Sequence, residues 1–237
     1  MLPAHVIDNH THLGSTTEYS GLGVADSLTA AGMVGVTGGV DVGCDLPSSR
    51  AAAQLAATDP RVRAAVAIHP NDAARLFQRD GLAALDAELA ELPALAALPG
   101  VVAVGETGLD YYRTRDAEAQ QVQAHSFRFH IALARENNLT LVIHDRDAHA
   151  DVLKVLDSMD LPERVVMHCF SGDADFAREC VDRGFWLSYP GVVTFGSAGS
   201  LRDAAKVTPL ERILVETDAP YLTPKPQRGK PNAPYLL

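Results

Sequence analysis

Two histidines separated by one residue lie near the start of the chain, in the segment Val6-Ile7-Asp8-Asn9-His10-Thr11-His12. Because side chains alternate faces along an extended strand, Asp8, His10 and His12 are expected to point to the same side. Two imidazoles on one face can bind a single metal ion. A pair of surface histidines on an edge strand has the same spacing, so the motif alone leaves both interpretations open.

Four further residues that can bind metals end later apolar segments. They are Glu106, His144, His168 and Asp218. Each of them alone has a simpler interpretation, such as a solvent-facing acid, a rim histidine or an aspartate in a turn. Together with His10 and His12 they form a set of imidazoles and carboxylates that suits a transition-metal ion better than an all-oxygen calcium site. Six ligands exceed what one open catalytic ion requires. We therefore predict two divalent ions (Mg²⁺, Mn²⁺ or Zn²⁺) that share Glu106.

Two such ions would clamp the attacking and leaving oxygens of an ester during hydrolysis. His69 is predicted to contact the substrate, as a hydrogen-bonding group or a proton carrier, and a structural role is the alternative. Arg113 and Arg146 can each hold a phosphate through two hydrogen bonds, or form an ordinary salt bridge in a loop. Tyr221 is included as a substrate-binding residue that either stacks on a base or packs against the rim.

Two other hydrolytic mechanisms are excluded by the residues present. The lysines are Lys154, Lys206, Lys225 and Lys230, and none of them ends a predicted strand, so a carbamylated lysine cannot bridge two metals there. No Gly-x-Ser-x-Gly sequence follows a predicted strand, which argues against a nucleophilic serine of the α/β-hydrolase type.

Eight apolar, β-branched segments alternate with helical segments, and the candidate ligands lie at the ends of several of them. The predicted strands are Val6–His12, Val34–Val42, Val62–His69, Val101–Glu106, Thr140–His144, Arg164–His168, Phe185–Tyr189 and Ile213–Asp218. The predicted helices are Arg50–Thr58, Asp72–Phe77, Ala117–Glu136, Asp147–Met159 and Asp173–Arg183, and Pro224–Leu237 is predicted to be an extended loop. This alternation predicts an α/β fold, a TIM (β/α)8-type barrel that forms one domain over residues 1–237 and lacks its last outer helix.

Composition limits the classes of protein to which the chain can belong. Its 237 residues are 47% hydrophobic, enough for one large core. A formal net charge of −10 argues against nucleic-acid binding by a general basic surface. We predict a cytoplasmic protein without membrane contact for three reasons. The number of cysteines is odd, which suits a reducing compartment. The sequence contains no apolar run of 18 residues, and residues 1–5 do not resemble a signal peptide. No obligate protein partner is evident.

Six motifs, in order along the chain, resemble those of the TatD-like family of metal-dependent hydrolases. They are Asp8-Asn9-His10-Thr11-His12, Ile68-His69-Pro70, Gly105-Glu106-Thr107-Gly108-Leu109-Asp110-Tyr111, Ile143-His144-Asp145-Arg146, His168-Cys169-Phe170-Ser171-Gly172 and Glu216-Thr217-Asp218-Ala219-Pro220-Tyr221-Leu222. The resemblance implies a phosphodiesterase, typically a deoxyribonuclease that works as a 3′→5′ exonuclease, with short single-stranded DNA as substrate.

The resemblance also implies roles for individual residues. One ion would be held by His10, His12 and Asp218, and the other by His144 and His168, with Glu106 between them. Asp218 would also accept the proton of the attacking water. His69 would face the scissile phosphate, so Asp218, Glu106 and His69 are the expected catalytic residues.

Two other functions remain open at this point. The same ions could hydrolyse a small molecule, such as a lactone, an amide or another ester, because the fold does not fix the substrate. A catalytically inactive, metal-stabilised interaction protein is also conceivable, although a complete set of ligand positions argues against it.

Overall fold

Eight parallel strands form a nearly closed barrel in which each strand neighbours the next one along the chain. The computed structural model describes residues 5–237, so the prediction about a signal peptide falls almost wholly outside the described residues. The strands are β1 (Val6–Thr11), β2 (Val36–Val42), β3 (Val62–Val66), β4 (Val101–Asp110), β5 (Thr140–Arg146), β6 (Val165–Met167), β7 (Trp186–Tyr189) and β8 (Ile213–Val215). The predicted TIM-barrel fold is confirmed.

The helices lie between the strands in chain order. They are α1 (Leu13–Ser20), α2 (Val24–Val34), α3 (Leu46–Thr58), α4 (Pro70–Asp80), α5 (Leu82–Leu89), α6 (Leu92–Ala96), α7 (Ala117–Glu136), α8 (His149–Asp157), α9 (Ala174–Asp182) and α10 (Gly199–Val207). No helix among the described residues is long and apolar enough to cross a membrane.

The barrel closes between β8 and β1 through backbone hydrogen bonds just beyond the end of β8. Asp218 N–H donates to the carbonyl of His10 at 2.9 Å, and His12 N–H donates to the carbonyl of Ala219 at 2.8 Å. The same bonds place Asp218 beside the two histidines of β1. Closure of the barrel and assembly of the candidate site therefore depend on the same short segment.

Small apolar side chains form one layer of the barrel. Val42, Ala65, Ala103, Val142 and Val166 make a buried cluster with one residue from each of five successive strands, β2 to β6. Side chains on the other face of the strands join a larger cluster with the helices. Burial on both faces explains why these strands are apolar along nearly their whole length.

The predicted element boundaries differ from the structure at the strand ends. Val34 was assigned to β2 wrongly, because it is the last residue of α2, and Gly35, with φ of 101°, ends that helix before the strand begins at Val36. A β-branched residue next to a strand does not by itself indicate which element it belongs to. His69, His168 and Asp218 lie beyond β3, β6 and β8, in the loops that follow.

The chain after β8 contains turns and a short 3₁₀ helix, Pro234–Leu236, which packs against α2. The described residues contain no α-helix after β8, which agrees with the predicted lack of a last outer helix. The prediction of an extended loop over Pro224–Leu237 is corrected by this 3₁₀ helix.

The sequence did not predict five of the helices, namely α1, α2, α5, α6 and α10. α7 has the predicted bounds.

A buried histidine on α7 supports the chain just before His69. Nε2 of His130 accepts a hydrogen bond from Ile68 N–H at 3.1 Å, and its Nδ1–H donates to the carbonyl of Ser126 at 2.7 Å. The bond from Ile68 requires a neutral ring, because a protonated Nε2 cannot accept it. Burial lowers the pKa of His130 from 6.5 to about 4, against the opposing effect of the Ser126 hydrogen bond.

Because the unfolded chain binds a proton at His130 near pH 6.5 and the folded protein does so only near pH 4, this residue stabilises the fold above pH 6.5. We expect that stabilisation to fall by about 2 kcal/mol by about pH 5. Urea titrations should therefore show that the difference in free energy of unfolding between the wild type and His130→Gln decreases by that amount as the pH falls to about 5. His125→Gln, at an exposed histidine, is the control. An advantage that does not change with pH would contradict the assignment.

Gly108 in β4 is a second test of the barrel. Its φ is +139°, and an added Cβ would overlap the carbonyl oxygen of His144 on β5. Gly108→Ala should lower the free energy of unfolding by about 3 kcal/mol. Gly14→Ala, in α1 where nothing lies within 4 Å of the new methyl group, should change it by about 1 kcal/mol or less. Equal effects of the two substitutions in chemical denaturation would show that β4 and β5 are not packed this closely.

Candidate metal centre

The carboxylate of Glu106 lies at the centre of the barrel mouth, with each oxygen facing different imidazoles. The residue is 4% exposed. Oε1 lies 3.7 Å from His10 Nε2 and 3.6 Å from His12 Nε2. Oε2 lies 3.1 Å from His168 Nε2 and 3.2 Å from His144 Nδ1. One carboxylate thus separates two groups of potential metal ligands.

Two further residues complete these groups. Asp218 Oδ1 lies 3.5 Å from His12 Nε2, and the ligand atoms of His10, His12 and Asp218 all lie within 4.8 Å of one another. On the other side, Nε2 of His69 lies 3.8 Å from Oε2 of Glu106. All seven residues predicted to be ligands or catalytic groups therefore lie in one cluster.

Three of the imidazoles face an oxygen atom at the nitrogen that points away from Glu106: a hydrogen-bond acceptor for His12 and His144, and a carboxylate in an ion-pair contact for His168. His12 Nδ1–H donates to the carbonyl of Val42 at 2.8 Å. His144 Nε2 lies 3.2 Å from Asp110 Oδ2, and His168 Nδ1 lies 3.0 Å from Glu216 Oε1. Such partners are typical of metal-binding histidines, because they fix the ring and leave the other nitrogen as the ligand.

His10 tests whether the cluster suits a cation. It is fully buried, its ring stacks on that of His168 with centroids 3.6 Å apart, and neither of its ring nitrogens has a hydrogen-bond partner among the described residues. A buried polar atom without a partner is costly unless something else satisfies it. A divalent ion coordinated by a ring nitrogen would do so, and a mixture of imidazole and carboxylate donors fits Zn²⁺ or Mn²⁺.

The charges of the cluster are strongly coupled. Burial favours a neutral carboxyl, but the positive charge of His168, the proximity of His10 and the hydrogen bond from His144 hold the pKa of Glu106 well below its usual range. Burial likewise opposes ionisation of Asp218, and the hydrogen bond from His12 and the charge of His168 lower its pKa overall. Both carboxylates are therefore ionised at neutral pH, the state in which they can bind a cation.

Asp8 was expected to share the face of the two histidines, and the structure gives it a different role. It is fully buried; its Oδ1 accepts from Thr217 N–H at 2.9 Å and its Oδ2 from the Thr217 hydroxyl at 2.5 Å. Burial raises the pKa of Asp8 to about 7, against the hydrogen bonds from Thr217 that lower it. Asp8 thereby ties β1 to the residue before Asp218, whose φ of 53° turns the chain at the mouth.

His69 is held by the helix that it precedes. As the N-cap of α4 it accepts a hydrogen bond from Asn71 N–H at its Nδ1, at 3.0 Å. Burial lowers its pKa to about 3, although the charge of Glu106 acts in the opposite direction. The ring is therefore neutral with its proton on Nε2, the atom that faces the cluster. Of the two roles predicted for His69, this arrangement favours a hydrogen-bond donor to substrate over a proton acceptor.

The predicted substrate-binding residues lie at different places around the mouth. Tyr221 is 46% exposed, and its ring centroid lies 6.2 Å from that of His12 and 5.9 Å from that of Tyr19. Arg146 ends β5 with its guanidinium 4.0 Å from the ring centroid of Tyr112. Arg113 is exposed, and its backbone N–H donates to Asp110. The described contacts do not join Arg113 to the cluster, so its role stays a prediction.

Three neighbours of the cluster were not predicted: Asp110, Glu216 and Cys44. Asp110 follows Glu106 by four residues in β4, and Glu216 precedes Asp218 by two. The period-two alternation that grouped His10 with His12 would have placed both acids on the same faces as the predicted ligands. Cys44 follows β2 as an isolated residue, and no spacing rule singled it out.

Comparison with known proteins identifies the family. The family model described as TatD related DNase matches residues 7–237. The chain belongs to the TatD family. It is 46% identical to a Mycobacterium tuberculosis protein named "Uncharacterized metal-dependent hydrolase TatD", over 98% of this chain and 86% of that protein.

Two further TatD proteins extend the comparison. A Citrobacter rodentium relative named "3′-5′ ssDNA/RNA exonuclease TatD" is 36% identical over 83% of this chain and 72% of its own length. The crystal structure of YJJV, a TatD homologue from Escherichia coli, superposes with a TM-score of 0.83 at 27% identity, over 97% of this chain and 85% of that one. The chain is therefore a metal-dependent hydrolase that acts on ester bonds, with clustered residues able to bind metal.

Glu216 allows a test of this centre that does not remove a ligand. It is 2% exposed, and its Oε1 lies 3.0 Å from His168 Nδ1 and accepts from Cys169 N–H at 2.8 Å. Glu216→Gln should weaken Mn²⁺ or Zn²⁺ binding about 10–100-fold, because His168 loses the charge that orients it. Calorimetric titration of metal-free protein measures this effect.

Glu163→Gln, at an exposed glutamate whose side chain is 77% accessible, is the matched control and should bind metal like the wild type. If Glu216→Gln and this control bind the metal equally well, then His168 does not depend on Glu216.

Proposed function

We propose that this TatD-family chain is a divalent-metal-dependent phosphodiesterase that removes nucleotides from single-stranded DNA in the 3′→5′ direction. The proposal includes two ions in each chain, held by His10, His12 and Asp218 on one side and by His144 and His168 on the other. Glu106 would join the two sides. The three cysteines form no disulfide, which supports the expectation of a reducing, cytoplasmic environment.

The division of the Glu106 carboxylate between two imidazole groups is the observation that carries the proposal. Each oxygen has its own pair of imidazole nitrogens at 3.1–3.7 Å. If a single ion occupied the centre, imidazoles on one side of the carboxylate would be enough. Ligands on both sides support two neighbouring positions, an arrangement common in enzymes that cleave phosphate esters.

Divalent ions bound at these positions would make water a better nucleophile at neutral pH and would offset the charge of the phosphodiester. The residues of the chain supply the other requirements of hydrolysis. Asp218, ionised and at the edge of the cluster, would accept the proton of the attacking water. His69 would donate its Nε2–H to a phosphate oxygen, because its Nδ1 is already occupied by Asn71 N–H.

Exposed aromatic and cationic groups beside the cluster support an extended nucleic-acid substrate. Tyr19 is 60% exposed and lies against Tyr221, so the pair offers an aromatic surface next to His12 on which a base could stack. Arg146, stacked on Tyr112, is suited to hold a phosphate. With a net charge of −10, the chain would bind DNA through these local contacts rather than a broad basic face. The name of the Citrobacter rodentium relative supports the same substrate.

Substitutions of the two acids test the proposed chemistry. Asp218→Asn and Glu106→Gln should each lower kcat on a short single strand labelled at its 5′ end by at least about 100-fold with Mg²⁺, Mn²⁺ or Zn²⁺ present. The wild type should give a ladder of products shortened from the 3′ end. Asp160→Asn, at an aspartate whose side chain is 82% exposed, is the control and should behave like the wild type.

Two results would count against the proposal. Full activity of both acid variants would refute the assigned roles. Rapid turnover of lactones or amides by the wild type, without cleavage of DNA or of bis(p-nitrophenyl) phosphate, would favour the hydrolysis of a small molecule by the same centre.

A further inference from the structure

Cys44 lies at the mouth of the barrel, in the turn between β2 and α3. It is the second residue after β2 and directly precedes the N-cap of α3. Its N–H donates to the hydroxyl of Ser48 at 2.9 Å, and its carbonyl accepts from His69 N–H at 2.8 Å. The backbone is fixed on both sides, so the position of the sulfur is set by the start of α3 and by the segment that follows β3.

The sulfur of Cys44 faces the cluster. Sγ donates to Oε1 of Glu106 at 3.6 Å and lies 3.9 Å from Nδ1 of His12, and the same oxygen faces His12 Nε2 at 3.6 Å. Ligand atoms of His12, Cys44 and Glu106 all lie within 4.8 Å of one another, and Cys44 is only partly buried. A cation that reaches Glu106 and His12 would therefore also meet this sulfur.

The distances suit a tetrahedral site. With bonds to zinc of about 2.3 Å for sulfur and 2.0–2.2 Å for oxygen, the two ligand atoms of a tetrahedron lie about 3.5 Å apart. The observed Sγ–Oε1 distance of 3.6 Å agrees with this value. Thiolate ligands favour soft ions such as Zn²⁺ and Cd²⁺, whereas Mg²⁺ prefers oxygen.

We propose that Cys44 is a further metal ligand on the His12 side of Glu106 and that its sulfur makes this position selective for thiophilic divalent ions over Mg²⁺. On binding, the S–H proton passes to water and a sulfur lone pair forms the bond to the ion. The inference rests on the proposed metal binding by His12 and Glu106. It does not depend on the substrate.

The other two cysteines provide alternatives that an experiment can separate. Cys180 is fully buried in α9 as part of the hydrophobic core. The ligand atoms of Cys169, His168 and Glu216 all lie within 4.8 Å of one another. Single substitutions of the three cysteines therefore distinguish coordination by Cys44 from coordination by Cys169.

Cadmium is the probe, because sulfur-to-cadmium charge transfer gives an ultraviolet absorption that nitrogen and oxygen ligands do not. The metal-free full-length chain is titrated with Cd²⁺, and we expect this absorption in the wild type and in Cys180→Ser but not in Cys44→Ser. Cys44→Ser should weaken Cd²⁺ binding at least about tenfold and change Mg²⁺ binding less than about threefold, both measured by calorimetry. Cys44→Ala should repeat the result, and equal melting temperatures of the metal-free variants would show that they fold.

The inference is overturned if Cys44→Ser keeps the absorption, if only Cys169→Ser loses it, or if Cd²⁺ binds without it. In each of these cases Cd²⁺ still binds to the protein. DNA cleavage is measured in a separate assay, so the proposed function can be correct even if Cys44 is not a metal ligand. A wild type that binds neither Cd²⁺ nor Mg²⁺ would remove the metal centre itself, and both proposals with it.

Discussion

The burial of one carboxylate is the constraint on which the barrel mouth depends. Glu106 is almost entirely removed from solvent, and a buried charge without partners would be strongly destabilising. Its partners come from β1 and from the ends of β3, β5 and β6, so its negative charge holds together segments that are distant in sequence. The proposed ions would supply the same compensation with much greater charge density, and the rings of His12 and His144, whose outer nitrogens already have hydrogen-bond acceptors, each leave one nitrogen free to bind them.

The support for these ligands is built into the backbone of the barrel. Asp8 holds Thr217, and the adjacent Asp218 bonds to the carbonyl of His10, so closure between β8 and β1 brings an acid beside two histidines. On the opposite side, Asp110 orients His144 and is itself held by the side chain of Asn71 at 2.8 Å. Because these supports are buried and hydrogen-bonded, the site is organised by the fold before any ion or substrate arrives.

The residues that could be predicted are those that strand ends place at a common edge. His144 follows from this rule, since it lies near the end of β5; Glu106 was found although β4 continues to Asp110, and His168 and Asp218 although the chain leaves the strand before reaching them. The rule did not extend to the supports of the ligands. Asp110 and Glu216 could have been found by alternation, but the contact of Cys44 with Glu106 depends on how the turn after β2 folds. The assignment of Val34 to a strand failed for a related reason, because local apolar character does not distinguish a helix end from a strand start.

The chain has a net negative charge, yet its proposed substrate is a polyanion. Binding of such a substrate therefore requires favourable contacts close to the metal centre. A protein with a net charge of −10 repels a polyanion at long range, and this repulsion is screened within about 8 Å at physiological ionic strength. If the proposed function holds, recognition would depend on groups within that distance: the proposed cations, the guanidinium of Arg146 and the exposed rings of Tyr19 and Tyr221. An end of a single strand brings one or two phosphates and a free base face to such a site, whereas a duplex would bring its full charge and hide its bases. This balance is consistent with the proposed substrate, the terminus of a flexible single strand.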